Sequence, residues 1–202
     1  MRQPRITAAL LMLAALAAAC GGPDTTPTKE NTGMNMQQGA NRVDAILQET
    51  LAAVRPELRW NHGPSSDAGC TNTTGGSTGT GAAKRSVLIL TIVSEQRRGA
   101  LLGVIEREWK GRGYQVTSVN KNPVFPAMRA DTPDGYSLSV EVAGEGQFFL
   151  DVATPCLTDS PVQDPTSKPN TPVRTTPYPQ RPDVQDDFWS ATTTVPSGSP
   201  TP

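Results

Sequence analysis

Between residues 86 and 156 the hydrophobic period changes twice, and few folds satisfy both changes. Residues 87–93 are nearly all apolar and rich in β-branched side chains, which suits a short strand covered on both faces. From Ser94 the period becomes helical. Leu101, Leu102, Val104, Ile105 and Trp109 fall on one side of a helix reaching about Lys110. The Ser94 hydroxyl can accept from a free N–H of the first turn, and Glu95 suits the positive end of the helix dipole. Gly99 and Gly103 weaken this helix by roughly 1 kcal/mol each relative to Ala and would let it lie close on a sheet. Gly111 and Gly113 stop it.

The period then falls to two. A strand is expected over residues 114–120, a break at Asn122 and Pro123, and a further strand over 127–131. Thr132, Pro133, Asp134 and Gly135 form a turn signal. Tyr136, Leu138, Val140 and Val142 alternate with Ser137, Ser139 and Glu141, the pattern of a half-buried strand. A last strand, with Phe148, Leu150 and Val152 inward, reaches Thr154. Upstream, Asn41 can cap a helix running to Arg55, with Val43, Ile46, Leu47, Leu51 and Val54 on its apolar side. Pro56 closes it, and Leu58 and Trp60 continue toward the core. The expected fold is α+β: two layers, a mostly antiparallel sheet and two helices over residues 41–156, long enough to bury one core. Residues 71–83, almost only Thr, Gly, Ser, Asn and Ala, read as a mobile loop.

The N-terminus is a targeting signal. Arg2 and Arg5 precede an apolar run over residues 6–19, short of the roughly 20 residues a bilayer span needs. Leu16, Ala17, Ala18, Ala19 and Cys20 resemble a bacterial lipobox. One departure is Ala17, where the commonest lipobox carries Leu. The resemblance implies cleavage before Cys20, so that residues 1–19 are the signal peptide. It also implies a thioether-linked diacylglycerol on Cys20 and a place on the outer face of the cytoplasmic membrane. Two or more acyl chains anchor stably where one is marginal. Residues 20–40 cannot bury enough apolar surface to order and read as a disordered tether, with Met34 and Met36 as stray linker residues.

The chain has three cysteines. With Cys20 lipidated, as the resemblance implies, Cys70 and Cys156 remain, and an exported pair is expected to form one disulfide. The mature domain also resembles uncharacterised actinobacterial lipoproteins, on Trp60, Cys70, the helix carrying Arg97 and Arg98, and the run from Thr154 through Pro155 and Cys156 to Leu157. That likeness implies no activity.

Residues 157–202 are rich in Pro and Thr and read as a disordered tail with no core of its own. Asp186, Asp187, Phe188 and Trp189 are its one cluster with side chains worth burying. They either dock on the domain, dock on a partner, or stay an acidic-aromatic patch.

Chemistry-bearing patterns are weak. Residues 75–79 match G-x-S-x-G by letter but lack the buried strand and following helix of a nucleophile elbow. Ser118 and Lys121 match S-x-x-K at the end of a strand, where Lys cannot reach Ser one helical turn on. His62, the one histidine, lies in a loop and reads as solvent-facing; a zinc site there would need the two cysteines of the bridge. Asp131, Asp134, Glu141, Glu145 and Asp151 could supply paired carboxylates, although strand ends and polar faces are ordinary places for them. No catalytic residue, metal or cofactor is assigned. Arg97, Arg98, Arg107, Lys110 and Arg112 make one helix basic in a chain of net charge −1. They are candidate contacts for anionic head groups or wall polymers. Nucleic acid is not expected outside the cell.

The expected function is a non-catalytic binding module at the envelope, held by its lipid anchor, with another envelope protein or a wall polymer as partner. The alternatives are a small carboxylate-dependent hydrolase and a structural spacer spanning the wall. The oligomeric state is not legible.

Overall fold

The computed structural model describes residues 33–172 and 174–193. The expected signal peptide, Cys20 and most of the expected tether lie outside them. The first helix, α1 (Met36–Ala52), is capped by Asn35 and not by Asn41. Asn35 Oδ1 accepts from Gln38 N at 2.9 Å, and Gln38 Oε1 accepts from Asn35 N at 2.9 Å. This reciprocal capping box satisfies two otherwise orphaned donors. The expected tether therefore ends earlier. Met36 is buried within the fold, and Met34 Sδ accepts from the Tyr136 hydroxyl at 3.3 Å.

The remaining elements follow in order. They are β1 (Trp60–His62), β2 (Ser66–Thr71), β3 (Ser77–Ile89), α2 (Glu95–Gly111), β4 (Gln115–Asn120), β5 (Ala127–Asp131), β6 (Ser137–Val142), β7 (Phe148–Ala153) and β8 (Leu157–Thr158). All strand pairs are antiparallel, in the order β1-β3-β7-β6-β5-β4, with β2 and β8 also pairing with β3. The architecture is the expected two helices on a mostly antiparallel sheet with one disulfide. Both helices pack on one face. α1 meets β3 and β7, while α2 meets β4 and β5. Val87, Ile89, Leu138, Val140, Phe148, Leu150 and Val152 face them and are buried. Trp109 is fully buried, and its indole Nε1 donates to Thr50 Oγ1 at 3.1 Å across the two helices.

Cys70 and Cys156 are joined, closing a loop of 86 positions. The bridge fixes a segment that sequence composition misread. Residues 71–83 are no loose loop, because β2 and β3 form a hairpin arm with Ser66 opposite Lys84 and Thr71 opposite Ser77. Backbone pairing needs no particular side chain, so low complexity hid it. At its tip Asn72 Oδ1 accepts from the backbone N–H of Thr74 and of Gly76. β8 pairs with β3 on the other side of the arm, placing Leu157 opposite Gly81.

The segment after Cys156 is the larger correction. It is packed through the described residues up to 193. Gln163 N donates to Gln37 Oε1 at 2.7 Å. Asn170 Oδ1 accepts from Trp60 N at 2.9 Å, and Thr171 Oγ1 donates to Trp60 O at 2.9 Å, along the edge strand β1. Asp183 N and Val184 N both donate to Leu90 O at 3.0 Å. Prolines lack N–H donors, so the side chains of Asn, Gln, Ser and Thr make many of these bonds in place of a ladder. The expected open question at Asp186–Trp189 is settled by burial. Trp189 is 0% exposed, and its Nε1 donates to Pro56 O at 2.8 Å. The expected Ser94 cap is absent, since its hydroxyl donates instead to Ala191 O.

A candidate binding groove and the polar clusters around it

The sheet ends at β4, whose outer edge pairs with no strand among the described residues. Beside it, the first three turns of α2 and the β4–β5 loop border an open groove of about 440 Å3. Leu102, Val119, Pro123 and Pro126 supply apolar lining, and Glu95, Glu106 and Lys121 supply charge. Gly99 and Gly103 line it too. A Cβ at Gly99 would meet nothing within 4 Å, and one at Gly103 would approach only the tip of Arg107 at 3.6 Å. The expectation that these glycines allow close helix–sheet packing is therefore corrected, because they face the open groove. Val119 is 42% and nearby Phe125 47% exposed, high for large apolar side chains.

The groove's outer wall is fixed by local polar bonds. Asn122 Oδ1 accepts from Val124 N and Phe125 N, each at 2.9 Å, and Asn120 Oδ1 accepts from Asn122 N at 3.0 Å. Arg98 donates from beneath to Val124 O. A break signal at Asn122 and Pro123 was legible in the sequence. The cavity beside it was not, because it depends on how α2 lies against β4.

The basic helix presents part of the expected anionic-contact set, since Arg107, Lys110 and Arg112 are exposed. Arg97 and Arg98 are buried. The Arg97 guanidinium lies 4.5 Å from the Phe188 ring centroid, a cation–π contact with the docked tail. Arg98 also sits 3.9 Å from Glu95. Lys110 pairs with Glu106 at 2.6 Å, and Arg112 binds Glu108 and reaches Glu49 at 2.9 Å. Arg107 is also engaged. The pairs with Glu106 and Glu108 are legible from helical spacing, whereas Phe188, Val124 and Glu49 arrive from other elements.

His62 is not solvent-facing either. Its Nε2 lies 2.8 Å from Ser167 O, and a carbonyl can only accept, so Nε2 carries the proton. Nδ1 is then buried without a hydrogen-bond partner. Close by, Arg85 is almost wholly buried, 3.6 Å from Asp44 Oδ1, and it donates to Gln163 O of the tail. Burial raises the Asp44 carboxyl above its ordinary range, with the charges of Arg85 and His62 opposing the rise.

The five carboxylates weighed from sequence do not converge as one set. Asp131 accepts from Ser137 Oγ at 2.9 Å, Glu145 pairs with Arg181 at 2.6 Å, and Asp134 stays in its turn. Glu141 and Asp151 border one pocket. Ser77 lies on the exposed hairpin arm, and Ser118 and Lys121 are exposed at β4. Among the described residues no group of three or more His, Cys, Asp or Glu is placed to hold a metal ion. No described helix is long and apolar enough to cross a membrane.

Among solved structures, a DUF4853-family protein of Actinomyces odontolyticus matches with a TM-score of 0.43 and 13% identity, over 73% of this chain and 80% of its own. LppA of Mycobacterium tuberculosis, a candidate lipoprotein, matches with a TM-score of 0.39 and 10% identity, over 61% of this chain and 78% of its own. At these scores neither assigns a function to this chain. No family model and no curated protein matches it.

Proposed function

We propose that the chain is a lipid-anchored, extracytoplasmic binding module that holds an extended segment of another envelope polypeptide. The observation that carries this reading is the groove between α2 and β4 beside an unpaired strand edge. An edge strand offers main-chain N–H and C=O groups to an added strand, and pockets alongside take its alternate side chains. The bulge between Val116 and Ser118 interrupts the first part of the edge and leaves the end nearest the groove regular. Leu102 and Val119 would take apolar side chains of the segment, and Glu95 and Glu106 a basic one. Cys20 supplies the anchor, as its lipobox implies, and places the domain on the outer face of the membrane.

The test uses the full chain in intact cells. A photo-crosslinking residue at Phe125 should capture one defined polypeptide, and Gly103→Trp, which fills the groove, should abolish the capture. Capture undiminished by Gly103→Trp would reject the groove. Separately, Cys20→Ser should move the protein out of the membrane fraction, and full retention would reject the anchor.

A further inference from the structure

A second pocket, sharing no residue with the groove, lies on the sheet face turned away from the helices. Its volume is about 300 Å3, at the small end of the roughly 300–1,000 Å3 typical of small-ligand sites. Strand register builds it. Ser86 stands opposite Asp151, and Glu141 opposite Phe149, and paired residues share a face. Lys84, two positions from Ser86, points the same way. The tail adds Tyr178, edge-on to Phe149 with ring centroids 6.2 Å apart and 40% exposed. Gly63 leaves room for that ring, since a Cβ there would sit 3.2 Å from the Tyr178 hydroxyl.

The polar groups divide into those already used and those still open. Asp151 is used: Oδ1 accepts from Ser86 Oγ, and Oδ2 lies 2.8 Å from Lys84 Nζ. This holds Ser86 and Lys84 in place while leaving spare N–H groups on Lys84. Glu141 is exposed, with both oxygens open. Burial and the Asp151 charge raise the Tyr178 hydroxyl above its ordinary value of 10.0, so it stays a neutral donor. Glu141 repels an anionic ligand, and the spare Lys84 N–H groups need an acceptor, which a simple cation does not offer. What remains is a neutral ligand with both donors and acceptors and an apolar face to lie against Tyr178 and Phe149. We propose that this pocket binds a neutral saccharide, with a ring face on Tyr178 and hydroxyls on Glu141 and Lys84.

The test is calorimetric titration of the full chain, kept in detergent, with short linear oligosaccharides of glucose, mannose and N-acetylglucosamine. Choline and inorganic phosphate serve as charged comparators. At least one saccharide should bind saturably at millimolar concentration, and neither comparator should compete. Tyr178→Ala should weaken binding about tenfold, equivalent to about 1.4 kcal/mol. Glu141→Gln, on an exposed strand position that leaves folding intact, should also weaken it, and Val119→Ala should not. The proposal is overturned if none of the three sugars binds, if binding is unchanged in both Tyr178→Ala and Glu141→Gln, or if choline or phosphate displaces the sugar. Because the groove test reads Phe125 and Gly103, failure of one leaves the other standing.

Discussion

Two residues carry more of this fold than their neighbours. Trp189 fills a fully buried site with its indole N–H on Pro56 O. Trp189→Ala removes that volume and leaves the carbonyl without its donor, so a loss of about 3–5 kcal/mol is expected. The urea midpoint measures it, and a loss below about 1 kcal/mol would mean that the tail is not anchored there. Asp44 answers to pH. Its folded pKa is raised above the ordinary 3.8 by burial. A raised folded value means its contribution to stability is full below about pH 3.8 and is lost as pH rises through the folded pKa. Asp44→Asn has no such loss. The stability of wild type minus that of the variant should therefore fall as pH rises from about 3 to about 7. Denaturation at stepped pH reads the sign, and a difference that grows with pH would contradict the burial argument.

At the scale of elements, α2 and the β2–β3 arm behave differently from what their composition suggests. α2 carries two interior glycines that face open space. Neither is needed for close packing, so Gly99→Ala and Gly103→Ala should each stabilise the protein by about 0.5–1 kcal/mol. Thermal unfolding would show this, and a destabilisation would mean that the groove is narrower than it stands here. The arm is a pair of strands in glycine- and threonine-rich sequence, exposed along most of β2. Its pairing is held by the Cys70–Cys156 bridge and by β8 on its other side. Replacing both cysteines by serine should cost on the order of 4 kcal/mol for a loop of this length. Loss of hydrogen-exchange protection should appear first in the arm.

For the whole molecule, the described residues from 163 to 193 are a strap and not an appendage. They run along the open edge of β1, bond through Asp183 N and Val184 N to the Leu90 carbonyl, and place Trp189 in the core. Removing residues 158–202 would empty the fully buried Trp189 site and strip the Leu90 carbonyl of its two donors from the tail. A large fall in melting temperature is expected. A near-unchanged melting temperature would mean the strap adds no stability.

Sequence by itself determined the elements whose signals are local. The apolar run, the helical period of α2, the alternation of β6 and the turn at Gly135 depend on neighbours within a few positions. So does the α+β class built from them. Counting cysteines, once Cys20 was set aside by its lipobox likeness, was enough to name the pair. Tertiary structure decided the rest, because those features join groups far apart in the chain. Arg97 reads as a surface charge until Phe188 arrives over it, and Ser94 as a cap until Ala191 takes its hydroxyl. A proline-rich segment looks unfoldable by composition, yet one tryptophan and a few amide and hydroxyl side chains dock it on a surface that other strands have already made. Both pockets have the same origin, since each is the space left where separately legible elements meet.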